Sequence, residues 1–345
     1  MSARSIVILG VLALVTLTLA LVLVAPRDER QTDEVLPLVP GLQEVVNEID
    51  AIDVTGADGA VKASLRRDRE RWRVREKSDY EADFELVHDL LRNLAVGQRV
   101  DERTSNPDWY GRLGLVDMGE EGATGVKISF PERDIPAIIL GNQDSQQSAQ
   151  FVRLAGDEQT WLTDRIISVP GSTVDFLVRA IMDIPASELA EVTVRHPDGD
   201  TVRLRSTEQD GADDWVLMNA PEGREAKPMW QLREVANGLA SLNLEDVRRH
   251  DAVPSDAVRA LYVTRDGLNF VASLFQDEQG SWVHFSVSPE TEAVTGDDED
   301  SEVSEIAIDA AAVDGRLSPW QFRIRERNFE AMTHRREDLL EPQDD

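Results

Sequence analysis

Two stretches, "IDVTGADGAVKASLRR" at 52–67 and "VTVRHPDGDTVRLR" at 192–205, share alternating apolar residues around an Asp-Gly pair. Alternation with period two predicts a strand with one buried face. Asp-Gly supplies the positive φ values of a type I′ turn, so each stretch predicts a β-hairpin. A tryptophan follows each hairpin, Trp72 in the first stretch and Trp215 in the second, and lies in a predicted third strand.

A predicted amphipathic helix follows each tryptophan. The segments are "ADFELVHDLLRNLA" (82–95) and "KPMWQLREVANGLA" (227–240), whose apolar residues, beginning at Phe84 and Met229, fall on one helical face. The copies are 140 residues apart at the Asp-Gly pairs, 143 at the tryptophans and 145 at the helices. This order predicts an internal duplication of three strands and a helix, with both tryptophans in the core.

A second, weaker similarity links "AQFVRLAGDEQTWLTD" (149–164) to "FVASLFQDEQGSWVHFS" (270–286). Each reads as two strands around an acidic turn, with Trp161 or Trp282 in the later strand. We interpret these two tryptophans as packing residues as well, because helix-on-sheet cores commonly contain them. Helices are predicted after both segments, at about 173–182 and 303–316.

The first 26 residues predict a membrane anchor. "SIVILGVLALVTLTLALVLVAP" (5–26) is uncharged and reaches the roughly 20 residues that a membrane-spanning helix needs. A cleaved signal peptide is the alternative, but the apolar run is longer than such peptides use. The anchor would include Ile6, Leu12, Leu17 and Val24.

The charges beside this run predict the orientation of the protein. Arg4 precedes the run and the acidic segment "RDERQTDE" (27–34) follows it, which places the short end in the cytoplasm. We therefore expect a single-pass inner-membrane protein with its C-terminal bulk in the periplasm.

The predicted fold class is α+β. It comprises an N-terminal transmembrane helix and two duplicated lobes of antiparallel β-meanders backed by helices. The expected boundaries are a stub and anchor at 1–26, a linker at 27–40, lobes at 41–183 and 184–340, and a tail at 341–345.

The composition excludes several classes of function. The chain has 345 residues, 66 acidic and 36 basic, giving a formal net charge of −30, and no cysteine. Without cysteine there is no disulfide, thiolate metal site or cysteine nucleophile. Because a strongly negative surface repels phosphate backbones, we expect no nucleic-acid partner.

No local motif identifies an active site. The five histidines are scattered without metal-ligand spacing, and no HExxH, GxSxG, P-loop or GxGxxG sequence occurs. We therefore predict no catalytic, cofactor-binding or metal-binding residue, and the question of enzymatic activity stays open.

One stretch, "TSNPDWYGRLGL" (104–115), is typical of a short capped helix that connects two meanders. Ser105 or Asn106 is the expected N-cap, Pro107 lies in the first turn, and Gly114 ends the helix. The aromatic and apolar residues of the connector are expected to pack inward; they are Trp109, Tyr110 and Leu113.

This connector and four other segments resemble the bacterial family known as domain of unknown function 4340. The other segments are the Tyr80, Ala82 and Asp83 pattern, "FVRLAGDEQTWLTD", "DIPASELAEVTVRHPDG" (183–199) and "RREDLL" (335–340). The resemblance extends over nearly the whole chain after the anchor. It implies a single-pass membrane protein whose gene often lies beside genes for a gliding-type ABC transporter. The family brings no catalytic residues.

The leading functional hypothesis is a membrane-anchored envelope accessory protein, an auxiliary component of an ABC-type transport system that acts through protein–protein contacts. Its expected partners are the inner membrane and the transporter permease or auxiliary membrane subunits. The alternatives are a periplasmic glycan- or ligand-binding module and an envelope hydrolase. An accessory protein should expose an apolar or mixed patch on one face. A binding module should contain a concave cleft between its lobes lined by exposed aromatic residues, and a hydrolase should cluster ionisable groups in a pocket.

Overall fold

Alternating apolar residues build two large antiparallel sheets. The computed structural model describes residues 36–145, 148–209, 212–290 and 300–342. Ten strands form the first sheet, in the order β1-β6-β10-β9-β8-β7-β2-β3-β4-β5. In chain order they are β1 (Leu36–Pro37), β2 (Ala51–Thr55), β3 (Val61–Asp68), β4 (Arg71–Val74), β5 (Tyr80–Glu81), β6 (Gln98–Glu102), β7 (Val126–Ser129), β8 (Ile138–Gln143), β9 (Gln150–Leu154) and β10 (Thr160–Thr163).

The second sheet has eight strands, in the order β14-β13-β12-β17-β18-β19-β20-β16. They are β12 (Leu189–Arg195), β13 (Thr201–Gln209), β14 (Ala212–Leu217), β16 (Asp246–Arg249), β17 (Val258–Thr264), β18 (Leu268–Asp277), β19 (Gly280–Pro289) and β20 (Trp320–Arg323). A small third sheet pairs β11 (Ala180–Met182) with β15 (Leu242–Asn243) and so joins the two halves of the chain.

The helices are short except for two. They are α1 (Leu42–Val45), α2 (Phe84–Val96), α3 (Tyr110–Leu113), α4 (Met229–Ala236), α5 (Asp300–Leu317) and α6 (Glu326–Met332). Asp83 caps α2 by accepting a hydrogen bond from the backbone N–H of Leu86, as an N-cap carboxylate should.

The two large sheets share one strand order. We call the side of each sheet on which β4 or β14 lies the meander edge. From this edge the first sheet runs β4-β3-β2-β7-β8-β9-β10-β6 and the second runs β14-β13-β12-β17-β18-β19-β20-β16. In each half a strand that comes after the α2 or α4 helix, β6 or β16, returns to pair with the last strand; in the second half β15 lies between α4 and β16. The first sheet adds one strand at each end, β5 beside β4 and β1 beside β6.

The two hairpins at 52–67 and 192–205 pair alike next to the turn and differ by one residue further along. Val192 faces Leu204 in the second hairpin, whereas a register shift between Val54 and Thr55 makes Ile52 face Leu65 in the first. The turn glycines lie in the left-handed region, Gly59 at φ 80° and Gly199 at φ 92°, whereas Asp58 and Asp198 do not, so the predicted type I′ geometry is wrong for both turns.

A single cluster of buried apolar residues extends through both halves, from Leu38 to Leu340. In the first half the buried face of α2 includes Val87, Leu90 and Leu94. In the second half Leu232, Val235 and Ala236 are the buried residues of α4, which packs on β14. The division at residues 183 and 184 stays a prediction.

The α+β fold class is wrong. Strand accounts for 38% and helix for 24% of the structure, which is mostly β-sheet in three antiparallel sheets. One predicted helix, at about 173–182, is instead a short 3₁₀ turn at Thr173–Phe176 followed by β11. Backbone pairing of β11 with β15 overrides the local helical pattern.

The predicted transmembrane helix and single-pass inner-membrane location are contradicted too. Among the described residues, the helices are too short or too polar to cross a membrane. The 18-residue helix α5 carries five acidic residues and an arginine. The predicted anchor residues lie outside the described part of the chain; they are Ile6, Leu12, Leu17 and Val24.

Candidate functional site

The meander edge differs between the two large sheets. In the first sheet β4 lies between β3 and β5. In the second sheet β14 pairs with β13 on one side, and no strand within the described ranges lies on its other side. An edge strand with a free side can accept contacts from another protein.

Exposed apolar side chains lie close to this free edge in the sequence. Four of the eleven large apolar side chains that are exposed in the described structure fall between residues 216 and 230. Val216 lies on β14 and Met218 directly follows it, while Met229 and Trp230 begin α4. Trp230 is 63% exposed and Met218 52%. We call this set, Val216, Met218, Met229 and Trp230, the edge surface.

The two halves of the chain meet along β5, β16 and β20. Lys77 Nζ lies 2.6 Å from Asp246 Oδ1, with both side chains about one-fifth exposed. The Tyr80 ring meets Trp320 edge-on, with 4.9 Å between ring centroids. Burial raises the pKa of the Tyr80 hydroxyl to about 12, although Arg316 nearby favours the phenolate. These contacts hold the sheets against each other.

Two adjoining cavities open at this junction. Their volumes are about 620 Å³ and 550 Å³, within the range of small-molecule sites. Both cavities are lined by Arg73, Gly315 and Trp320. We call the pair the junction cleft.

Two histidines that are far apart in the sequence stack on each other. The imidazole rings of His250 and His284 are 3.8 Å apart and nearly parallel. Burial, together with the neighbouring His284, lowers the pKa of His250 below its ordinary value, while Asp251 acts in the opposite direction. Histidine spacing gave no indication of this pair. Within the described ranges, no three His, Cys, Asp or Glu side chains are placed to hold a metal ion.

The connector forms two short helical turns. Asn106 is the N-cap and accepts a hydrogen bond from the N–H of Asp108, with Pro107 in the first turn. Gly114 ends α3 at φ 73°. Ser105 precedes the cap and is exposed.

The predicted inward packing holds for part of the connector. Tyr110 is buried and Leu113 is half-buried. Trp109, by contrast, is 47% exposed, with the Arg112 guanidinium 4.8 Å from its ring.

The connector is fastened by an arginine that the sequence analysis did not single out. Arg153 is buried, and its guanidinium donates to the carbonyl of Leu115 and lies over the Tyr110 ring. It also pairs with Asp117 at 2.8 Å. A charged group so deeply buried needs these partners, so the connector is built for packing.

The four tryptophans occupy different surroundings. Trp72 and Trp215 are 4% and 2% exposed, on β4 and β14 at corresponding places in the strand order. Trp161 on β10 is half-buried, with Arg99 over its ring. Trp282 on β19 is buried. Since β10 corresponds to β20, the predicted equivalence of Trp161 and Trp282 is wrong.

Trp282 belongs to a polar cluster of its own. Its indole N–H donates to Asp277, and the Arg248 guanidinium lies 3.8 Å from its ring centroid. Burial by itself would raise the pKa of Asp277. Hydrogen bonds from the Gln279 backbone, Arg248 and Trp282 outweigh that effect and lower it.

Comparison with known families gives one match. The model of the family described as domain of unknown function DUF4340 matches residues 72–260, more than half of the chain. The match extends from β4 in the first sheet to β17 in the second. No curated protein matches the chain.

Proposed function

The chain belongs to the DUF4340 family, and we propose that it is an accessory protein that works by binding other proteins. The observation that carries this proposal is the edge surface, where exposed apolar side chains adjoin a strand with a free side. Subunits of an ABC-type transport system are the partners that the family resemblance implies.

The chemistry of the edge surface suits protein contact. Tryptophan and methionine are enriched at protein interfaces, where they bury large areas at little cost in hydrogen bonding. Trp230 and Met218 expose more than half of their surface, in a chain whose net charge of −30 favours solubility. Covering them would remove apolar area from water.

The first half of the chain offers a matched control. Phe84 begins α2 as Met229 begins α4, and Phe84 is 52% exposed, like Met218. The corresponding strand of the first sheet, β4, pairs with β5 and has no free side. Phe84→Glu therefore changes an exposed apolar residue that is not beside a free strand edge.

The proposal is tested by affinity capture with the tagged full chain from the native cell. The variant M218E/W230E should lose transporter-type subunits by tenfold or more, while F84E retains them. Both variants should keep the unfolding free energy within about 0.5 kcal/mol, because the changed side chains are exposed. Equal capture by the two variants would refute the proposal, as would the absence of transporter-type subunits from wild-type captures.

A further inference from the structure

We propose that the junction cleft is a binding site for a phosphate-type oxyanion carried by a small organic ligand. This inference goes beyond the proposed function, because the cleft and the edge surface are built from different residues. It rests on the cations that line the cleft, on the state of their ion pairs and on the open space between them.

Arginines dominate the lining of the cleft. Six contribute, four from the first half of the chain and two from the second: Arg66, Arg71, Arg73, Arg75, Arg249 and Arg316. Three carboxylates accompany them, Asp68, Asp79 and Glu81. A chain with 66 acidic and 36 basic residues thus concentrates positive charge in one concave place.

Three of these arginines are already paired. Arg66 meets Asp53 at 2.7 Å, Arg71 meets Glu81 at 3.5 Å, and Arg73 lies 3.6 Å from Asp68. Their charge is therefore partly compensated, and they form the wall of the site.

The other three have no carboxylate partner within the described parts of the chain. Arg316 donates to the backbone carbonyl of Ile181, and Arg249 stacks over the Trp320 ring at 4.0 Å. The Arg75 side chain makes no hydrogen bond or ion pair to described residues. A stacked guanidinium keeps its in-plane N–H donors free for a ligand.

These cations favour a phosphate group. A guanidinium binds oxyanions through paired N–H donors. A phosphate offers several oxygens in a tetrahedral arrangement, so it can be approached by guanidiniums from both halves of the chain. The Tyr80 ring, which also lines the cleft, provides a less polar wall for the rest of the ligand.

Gly315 offers a direct way to test the site. A Cβ at this helical residue would meet no atom within 4 Å, so a side chain there projects into open space without backbone strain. Gly315→Glu places a carboxylate among the arginines. Gly315→Gln has the same size without the charge.

The test is isothermal titration calorimetry of the full chain with pyrophosphate, and with citrate at the same ionic strength. Pyrophosphate should bind saturably and more tightly than citrate. Binding should weaken by about tenfold or more in R249Q, since one charge-assisted hydrogen bond is worth that much. G315E should weaken it by at least as much relative to G315Q.

Matched controls separate this site from general charge effects. R92Q removes the same charge from an arginine on the surface of α2, paired with Asp89, and should bind pyrophosphate as wild type does. M218E/W230E should also bind normally, which keeps the test independent of the proposed function. The inference is overturned if wild type shows no saturable binding, if citrate binds but pyrophosphate does not, or if R249Q and R92Q bind equally.

Discussion

The first and second sheets repeat eight strands in one order but differ at the meander edge. In the first sheet β5 continues the meander past β4, and its Tyr80 packs against Trp320 of the other half. In the second sheet β14 ends the described order, and exposed Met218 and Trp230 lie close to it in the sequence. The shared strands carry the core. The copies diverge at the meander edge, where β5 contributes to the junction in the first half and β14 borders the edge surface in the second.

The comparison is tested most strongly at the two buried tryptophans. Trp72→Ala and Trp215→Ala should each lower the unfolding free energy by about 3–5 kcal/mol, because each removes a large side chain from a packed core. Denaturant titration of both variants measures the effect. A loss below 1 kcal/mol at either position would show that the copies do not use their tryptophans alike.

A conservative change sharpens this prediction. The indole nitrogen of Trp215 is buried without a hydrogen-bond partner in the described structure. Trp215→Phe removes that unpaired group and keeps most of the ring, so it should cost less than half as much as Trp215→Ala. A larger loss would mean that the nitrogen has a partner.

A smaller effect on the unfolding free energy, one that depends on pH, is expected from the second half alone. The ten strands of the first sheet contain no histidine, whereas His284 lies on β19 of the second sheet and stacks with His250, which directly follows β16. Because the folded state lowers the pKa of His250 below 6.5, the unfolded chain takes up a proton first as the pH falls. Stability is therefore complete above pH 6.5 and declines as the pH falls toward the lowered pKa.

The measurement for this prediction is denaturant unfolding at pH 7.5 and 5.5. Wild type should lose more stability between these values than His250→Gln does. His88→Gln, on the exposed side of α2, serves as the control and should follow wild type. If His250→Gln and wild type change equally, the fold does not lower the pKa of His250.

Local features of the fold could be predicted from the sequence. The turns at Asp58-Gly59 and Asp198-Gly199, and the buried faces of α2 and α4, depend on residues that are close along the chain. The limits appear at Phe84 and Met229, which begin the predicted apolar faces yet are 52% and 40% exposed. The helical period predicts which face of a helix is apolar. How far the sheet extends beneath that face, and so whether its first residue is buried, depends on tertiary packing.

The candidate sites could not be predicted in the same way. Arg75 and Arg249 line one cavity of the junction cleft and Arg316 lines the other, because segments from both halves of the chain meet at this junction. β14 has a free side because no described strand pairs with it there, and the local sequence of β14 does not reveal which strands become its neighbours. The false match of Trp161 with Trp282 has the same origin, since an acidic turn beside a tryptophan does not specify which strands become neighbours.

Hydrogen–deuterium exchange can follow β4 and β14 in one sample, and so compares the covered edge with the uncovered one. It would be recorded on the full chain alone and in complex with the captured partner. We predict that the partner slows exchange in β14 and in the first turn of α4, while β4 and the first turn of α2 stay unchanged. Protection confined to β4, or equal protection of both edges, would contradict the claim that the uncovered edge of the second sheet is the contact surface.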